Sequence, residues 1–153
     1  MSAAGELTRI RVQADDFDLG REYARLQQQP DCGAIVSFTG SVRELATTPL
    51  LSMTLEHYPG MTENALQQIV EQARSRWPLG KVTIIHRVGT LQVNEQIVLV
   101  LVSSAHRAAA FSACEFIMDF LKTRAPFWKK ETTAQGDYWV DAKASDAEAG
   151  QRW

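Results

Sequence analysis

Residues 96–133 read QIVLVLVSSAHRAAAFSACEFIMDFLKTRAPFWKKETT and give the clearest indication of the architecture. The apolar run at its start predicts a buried strand over residues 96–104. A long helix is predicted next, over roughly residues 105–123, and Pro126 ends it. FWKKETT then predicts a strand directly after the helix. The apolar side chains of this helix recur at helical spacing and form its expected buried stripe: Ala110, Phe111, Cys114, Ile117, Met118 and Leu121.

Upstream of this stretch, short strands alternate with two further helices. Strands are predicted for ELTRIRVQ (6–13), GAIVSFTGSVR (33–43) and SMTLEHY (52–58), with a loop over residues 44–52. Asp18 is the expected N-cap of a short helix over residues 19–28, and Thr62 that of a longer helix that Pro78 and Gly80 end. The expected buried face of the longer helix is Ala65, Leu66, Ile69, Val70, Ala73 and Trp77.

The remaining strands complete the pattern. KVTIIHRVG (81–89) is a predicted strand, and a hairpin turn at Asn94-Glu95 separates it from the strand at 96–104. YWVDA (138–142) is predicted to pair with FWKKETT about a turn at Gly136-Asp137, and Trp153 is expected on a short final helix. Together these elements predict one α+β domain over residues 1–153, with a mainly antiparallel sheet and two principal helices.

Composition excludes several classes of protein. Hydrophobic residues make up 45% and charged residues 22%, which suits a globular core rather than a disordered chain. The net charge of −2 argues against a general binder of nucleic acid, so any basic site must be local. The apolar run at 97–102 is too short to span a bilayer, and the N-terminus has no apolar signal-peptide core. Cys32 and Cys114 form neither a zinc motif nor a disulfide framework, which indicates a reducing cytoplasm.

Basic residues gather at a few places, and each has two interpretations. His106 and Arg107 begin the long helix, where free backbone N–H groups and a guanidinium can bind a phosphate or carboxylate. The alternative is a capped helix with a solvated arginine. Lys122 and Lys129 flank the rigid segment APFW, and nearby cations or partial burial would lower a lysine pKa and allow nucleophilic or proton-transfer chemistry. The alternative is a solvated helix end, because cations favour helix C-termini.

The other candidate residues and motifs give weaker indications of function. The three histidines, His57, His86 and His106, lack metal-ligand spacing, and Cys114 lies on the apolar stripe of its helix, where core packing is expected. FWKKETTAQGDYW interleaves basic and aromatic residues, as nucleic-acid binders do, yet it fits an ordinary hairpin equally well. No GxSxG, Walker A or GxGxxG motif is present. The sequence therefore predicts neither a metal nor a cofactor.

Longer strings of residues resemble one known family. FTGSVR, TLEHYPGMTE, RWPLGKVTIIHRVG, SSAHRAAAF, FIMDFLKTRAPFWKKE and GDYWVDA are similar, in order and spacing, to the large subunit of molybdopterin synthase. The similarity runs from about residue 7 to Trp153. It implies an α/β hammerhead-type fold. It also implies a sulfurtransferase that converts cyclic pyranopterin monophosphate into molybdopterin by adding two sulfurs.

The resemblance also implies partners and site residues. The sulfur would arrive as a thiocarboxylate on the C-terminal Gly-Gly of a small ubiquitin-like subunit, in a heterotetramer built on a homodimer of the large subunit. The family's key lysine falls on Lys122 and a second functional lysine on Lys129. The residues implied to contact substrate are Ser41, Val42, Arg43, His106, Arg107, Lys130, Glu131 and Lys143.

Two alternatives remain open on the sequence. A scaffold of the same fold could bind the ubiquitin-like partner without turnover. A small nucleotide- or RNA-binding α+β module is the second alternative, and the net acidic charge and the lack of an RNP-like aromatic pattern argue against it.

Overall fold

The strands and helices follow one another in an order close to the predicted one. The computed structural model describes residues 7–140 and 148–153. Within them the chain forms β1 (Thr8–Gln13), α1 (Leu19–Gln27), β2 (Ala34–Ser41), β3 (Leu50–His57), α2 (Met61–Arg76), β4 (Val82–Arg87), β5 (Gly89–Leu91), β6 (Gln96–Ser104), α3 (Arg107–Arg124), β7 (Phe127–Thr133) and β8 (Gly136–Val140). Residues 148–150 are also helical.

The strands form two four-stranded sheets rather than one. The first sheet has the order β1-β4-β6-β2 and the second the order β5-β3-β7-β8. β1 pairs with β4 in parallel, and the other strand pairs are antiparallel. The predicted α+β class with mainly antiparallel pairing is therefore confirmed, now divided between two sheets.

The apolar run of β6 is explained by burial of both faces of the first sheet. Val98, Val100 and Val102 pack in the core beneath α2 and α3. The alternate residues, Leu99 and Leu101, pack on the opposite face with residues of α1 and the segment before it. A strand that is covered on both faces needs apolar side chains at every position, which is why this strand shows no alternation.

Helix α3 is continuous from Arg107 to Arg124, but its buried stripe differs from the predicted one. Ala110, Cys114, Ile117 and Leu121 are buried as expected. The prediction for Phe111 was wrong, since this ring is 61% exposed, and Phe116 and Phe120 occupy the core instead. The stripe is displaced because α3 packs against α2 and the C-terminal segment as well as the sheet: the Phe116 ring lies 5.5 Å from the Trp77 ring and 5.6 Å from the Trp153 ring. None of the helices in the described residues is long and apolar enough for a membrane span.

Three predicted boundaries need correction. The strand predicted over residues 81–89 is divided at Gly89, whose φ of +93° begins the separate strand β5. The hairpin turn before β8 lies at residues 134–135 rather than 136–137, because Thr133 pairs with Gly136 across it. β3 begins at Leu50, two residues earlier than expected. A turn does form at Asn94, whose φ is +76°, but it is not the predicted hairpin turn, because the strands that flank it, β5 and β6, belong to different sheets.

The helix starts were predicted with mixed success. The Asp18 side chain accepts a hydrogen bond from the Arg21 N–H at 3.0 Å, which confirms it as the N-cap of α1. Thr62 is not an N-cap, because α2 is capped at Gly60 and Thr62 lies inside the first turn. A φ of +84° at that N-cap suits glycine.

The buried Thr62 hydroxyl ties three segments together. It accepts a hydrogen bond from the Tyr58 N–H at 3.0 Å and donates one to the Pro126 carbonyl at 3.1 Å. The first bond reaches the end of β3, and the second reaches the two-residue connection between α3 and β7. Thr62 therefore holds the start of β7 against α2.

Replacement of Thr62 tests this connection. Thr62→Val keeps the shape but leaves two backbone groups without a partner, so we expect the free energy of unfolding to fall by about 1–3 kcal/mol. Thr62→Ser retains the hydroxyl and is the matched control, with a smaller loss. Denaturant unfolding of both variants measures the difference, and equal losses would contradict a hydrogen-bonding role.

Candidate active site

The ends of the first sheet decide which candidate residues can meet. β2 and β4 both run antiparallel to β6, so Ser41 lies opposite Gln96 and His86 lies opposite Val98. Both strands therefore finish where β6 begins. Helix α3 follows β6 after two residues and packs on it and on β2. Its C-terminal end returns to the same end of the sheet, which we call the β6-start end.

The segment after β2 brings one arginine to the β6-start end. The Val42 side chain is buried with Leu50, Met53, Leu55 and Leu91. Its backbone N–H donates to the Glu95 carbonyl, and its carbonyl accepts from the Asn94 N–H. Val42 thus presents no unpaired group to a ligand and instead fixes its neighbours. Ser41 and Arg43, on either side of it, are both exposed.

Lys122 lies in the last turn of α3, exposed at the β6-start end. Its positive charge acts on the imidazole of His86, which is 5% exposed at the end of β4. That imidazole stacks on the Phe127 ring, with centroids 3.8 Å apart and planes inclined by 19°.

His86 is held as a neutral ring in one tautomer. Its Nδ1 lies 2.8 Å from the Arg87 carbonyl oxygen. A carbonyl can only accept, so Nδ1 carries the proton and Nε2 keeps a lone pair. Burial lowers the pKa of His86 from its ordinary value of 6.5 to about 4; the bond to the Arg87 carbonyl opposes this shift, and the charges of Lys122 and His57 add to it.

Strand β7 carries the other predicted residues, and the pleat separates them. Lys129 lies opposite Leu55, and Glu131 lies opposite Met53, so both are on the face that packs toward the first sheet. Lys130 lies on the other face, with its Nζ 5.6 Å from the centre of the Trp139 ring. Adjacent residues of a strand point to opposite faces, so Lys129 and Lys130 do not share one site within this chain.

His106 and Arg107 lie at the other end of the first sheet. His106 is the N-cap of α3, its side chain makes no capping hydrogen bond, and both residues are exposed. Fifteen residues at about 1.5 Å each place Arg107 roughly 22 Å from Lys122 along the axis of α3. The helix is unbroken, so this separation is a property of the fold.

The structure therefore divides the predicted site residues into groups. Arg43 and Lys122 lie toward the β6-start end, and Lys129 follows two residues after Phe127, whose ring stacks on His86 at that end. His106 and Arg107 lie apart, and Lys130 faces away. Lys143 lies outside the described residues.

Sequence reasoning missed His86 and Phe127 as parts of this site. His86 was treated as a structural histidine, and nothing in its spacing from residue 127 indicates that the two rings would meet. The available signal was weak, because the strand VTIIHR contains Thr83 and Arg87 as well as His86 among its apolar residues.

Cys32 is half-buried and Cys114 is buried, and both are free thiols. Among the described residues, no cluster of histidine, cysteine, aspartate and glutamate could hold a metal ion. Burial, with a smaller contribution from Glu115, raises the pKa of the Cys114 thiol to about 12, so this group stays protonated near neutral pH. Cys32 is half-buried, with its Sγ 3.6 Å from the Gln29 side-chain oxygen.

Comparison with known proteins identifies the family of this chain. The family model described as "MoaE protein" matches residues 12–124. The molybdopterin synthase catalytic subunit of Escherichia coli (strain K12) is 54% identical over 147 residues, covering 95% of this chain and 98% of that protein.

Solved structures have the same fold. The molybdopterin biosynthesis MoaE protein from Burkholderia ambifaria MC40-6 has a TM-score of 0.83 and 52% identity, covering 95% of this chain and 97% of that one. Molybdopterin synthase from Staphylococcus aureus has a TM-score of 0.81 and 32% identity, covering 86% of this chain and 96% of that one. The chain therefore belongs to the MoaE family, the catalytic subunits of molybdopterin synthase.

Proposed function

We propose that this chain converts cyclic pyranopterin monophosphate into molybdopterin, with sulfur from the C-terminal thiocarboxylate of a small ubiquitin-like subunit. The observation that carries the proposal is that Arg43 and Lys122 lie toward the β6-start end, where Phe127, two residues before Lys129, stacks on His86, in a chain of net charge −2. Both ligands are anions, a phosphate ester and a thiocarboxylate, and a local cluster of cations suits both.

Each thiocarboxylate delivers one sulfur, and hydrolysis of its acyl group by water releases the partner as a carboxylate, so two partner molecules supply the two sulfurs of one product. The proposed role of Lys122 is to act as a nucleophile or to carry a proton, and that of Lys129 is to stabilise negative charge that develops at the pterin side chain. Because the sulfur comes from the partner, the enzyme needs no reactive thiol, which agrees with the buried, protonated Cys114.

We propose a shared active site in a two-fold dimer. The pterin substrate is on the order of 10 Å long, whereas Arg107 and Lys122 of one chain are roughly 22 Å apart along α3. A pair of chains related by two-fold symmetry can place His106 and Arg107 of one protomer beside Arg43, Lys122 and Lys129 of its partner. Each chain would then complete the pocket of the other, and one small subunit would bind at each end.

The same proposal includes the domain organisation and the cellular compartment of the protein. We take residues 1–153 as one large-subunit domain, because the family match begins in β1 and ends in α3. We place the protein in the cytoplasm, where a reducing environment keeps Cys32 and Cys114 as free thiols.

The alternative is a scaffold of the same fold that binds the ubiquitin-like subunit without turnover. One assay separates the two: incubation of the chain with the thiocarboxylated partner and cyclic pyranopterin monophosphate, followed by detection of the dithiolene product. Partner binding without product would support the scaffold.

Replacement of Lys122 tests its chemical role. Lys122→Ala should lower turnover by about 100-fold or more, the scale of a lost proton-transfer group. Lys122→Arg should fail nearly as badly, because arginine stays protonated and can neither attack nor give up a proton. Lys81→Arg is the matched control, since Lys81 precedes β4 at the opposite end of that strand from His86.

The comparison of Lys122→Arg with its control decides between two roles. Near-normal turnover by Lys122→Arg would reduce this lysine to an electrostatic contact. Circular dichroism and thermal unfolding of each variant establish that the fold is intact.

The cysteines provide a test of sulfur delivery. The double variant Cys32→Ser, Cys114→Ala should keep most of its activity, with some stability lost at the buried Cys114. A folded double variant that no longer transfers sulfur would overturn delivery by the partner.

Mixed dimers test the shared site. Lys122→Ala and Arg107→Ala should each be inactive, whereas a dimer containing one chain of each has one pocket with both defects and one pocket with neither. Such a dimer should recover up to about half of wild-type activity if the pockets act independently.

A second mixed dimer is the control. One wild-type chain paired with one doubly substituted chain gives two pockets with one defect each, so it should be inactive if sites are shared. Activity in this dimer, together with an inactive Lys122→Ala/Arg107→Ala dimer, would place each site within a single chain.

A further inference from the structure

The contact between His86 and Phe127 joins the two sheets. His86 is in β4 of the first sheet, and Phe127 is the first residue of β7 in the second. Phe127 packs on the core that lies beneath α2 and α3, and in its own sheet it pairs with His57. The stacked rings thus bridge the part of the molecule that carries Lys122 and the strand that carries Lys129.

The ring of His86 is fixed in both orientation and charge. The hydrogen bond from Nδ1 to the Arg87 carbonyl fixes its rotation, and the parallel stack at 3.8 Å fixes the Phe127 ring above it. The charged groups that act on it are Lys122 from α3 and His57 from β3. A protonated His86 would place a positive charge close to Lys122, whereas the neutral ring does not repel it.

We propose that His86 is a positioning residue for the sulfur-transfer site: the neutral imidazole holds Phe127, and thereby keeps Lys129 of β7 at a fixed distance from Lys122 of α3. This role rests on the proposed function of the two lysines. His86 itself need not touch substrate, since it is almost fully buried. Its effect is on the relative position of two groups on different sheets, where a displacement of about 1 Å can cost up to about 100-fold in rate.

Paired substitutions separate positioning from mere packing. His86→Asn retains a donor near the Nδ1 position but removes the stacked ring, and we expect kcat to fall by about 10- to 100-fold with KM for the pterin substrate nearly unchanged. His86→Phe retains a flat neutral ring against Phe127 and should keep more of kcat. The matched control is Ile85→Ala, which removes volume from the same strand on its opposite, α1-covered face.

The stability of each variant decides how the rates are interpreted. If His86 only packs, kcat should follow the unfolding free energy in all three variants, and Ile85→Ala should lose activity like His86→Asn. A folded His86→Asn variant with wild-type kcat would overturn the proposal.

A second measurement needs no turnover. Nitrogen-15 NMR of the wild-type chain should show His86 as a neutral ring with its proton on Nδ1 at pH 7. Lys122→Met should raise the His86 pKa, because a nearby positive charge is removed, whereas Lys81→Met should leave it unchanged. A charged ring, the other tautomer, or an equal response to both substitutions would contradict the proposed geometry even if a variant at His86 failed to fold.

Failure of the proposed role of Lys122 and failure of the positioning role of His86 give different results. If Lys122→Arg supports normal turnover while the NMR response is as expected, the chemical role of Lys122 is wrong and the geometry around His86 stands. If the NMR response is missing while Lys122→Ala is inactive, the function stands and His86 does not position its lysines.

Discussion

The two-residue connection between α3 and β7 constrains the whole site. Ala125 and Pro126 leave little freedom between the end of the helix and the first residue of the strand. The Phe127 N–H donates to the Ala125 carbonyl at 2.9 Å, and the Thr62 hydroxyl donates to the Pro126 carbonyl. Because α3 is fixed by the aromatic residues packed between it and α2, the start of β7 is fixed as well. The spacing between Lys122 and Lys129 is therefore set by the core rather than by a flexible loop.

Local patterns predicted most of the elements. The uninterrupted apolar run of β6, the proline after α3 and the Asp18 cap each act within a few residues, so their outcome is visible in the sequence. The errors have a different origin. Phe111 and Phe116 are both apolar, and only the position of α2 and the C-terminal segment decides which one is buried. The short β5 depends on β3, a strand far from it in sequence.

The site could be assigned only in part for the same reason. Family resemblance gives the identity of the lysines, whereas residue spacing along α3 gives the distance of Lys122 from His106 and Arg107. No local signal shows that His86 and Phe127 meet, because this contact forms between strands of different sheets. Nor does the sequence separate Lys129 from Lys130, which the pleat of β7 directs to opposite faces. Successive side chains of a strand alternate between its two faces, so the separation follows once the strand and its partner are known.

The parallel pairing of β1 with β4 has a consequence for how the chain is made. Thr8 pairs with Val82, so β1 is synthesised more than 70 residues before its partner strand. Closing such a long loop costs conformational entropy before the strand pairing stabilises the closed state. Pairings of this kind therefore slow folding. During synthesis, β1 thus remains without its partner strand β4 until α1, β2, β3 and α2 have been made. Its alternating arginines, Arg9 and Arg11, give this early segment a charge that disfavours edge-to-edge association during that interval.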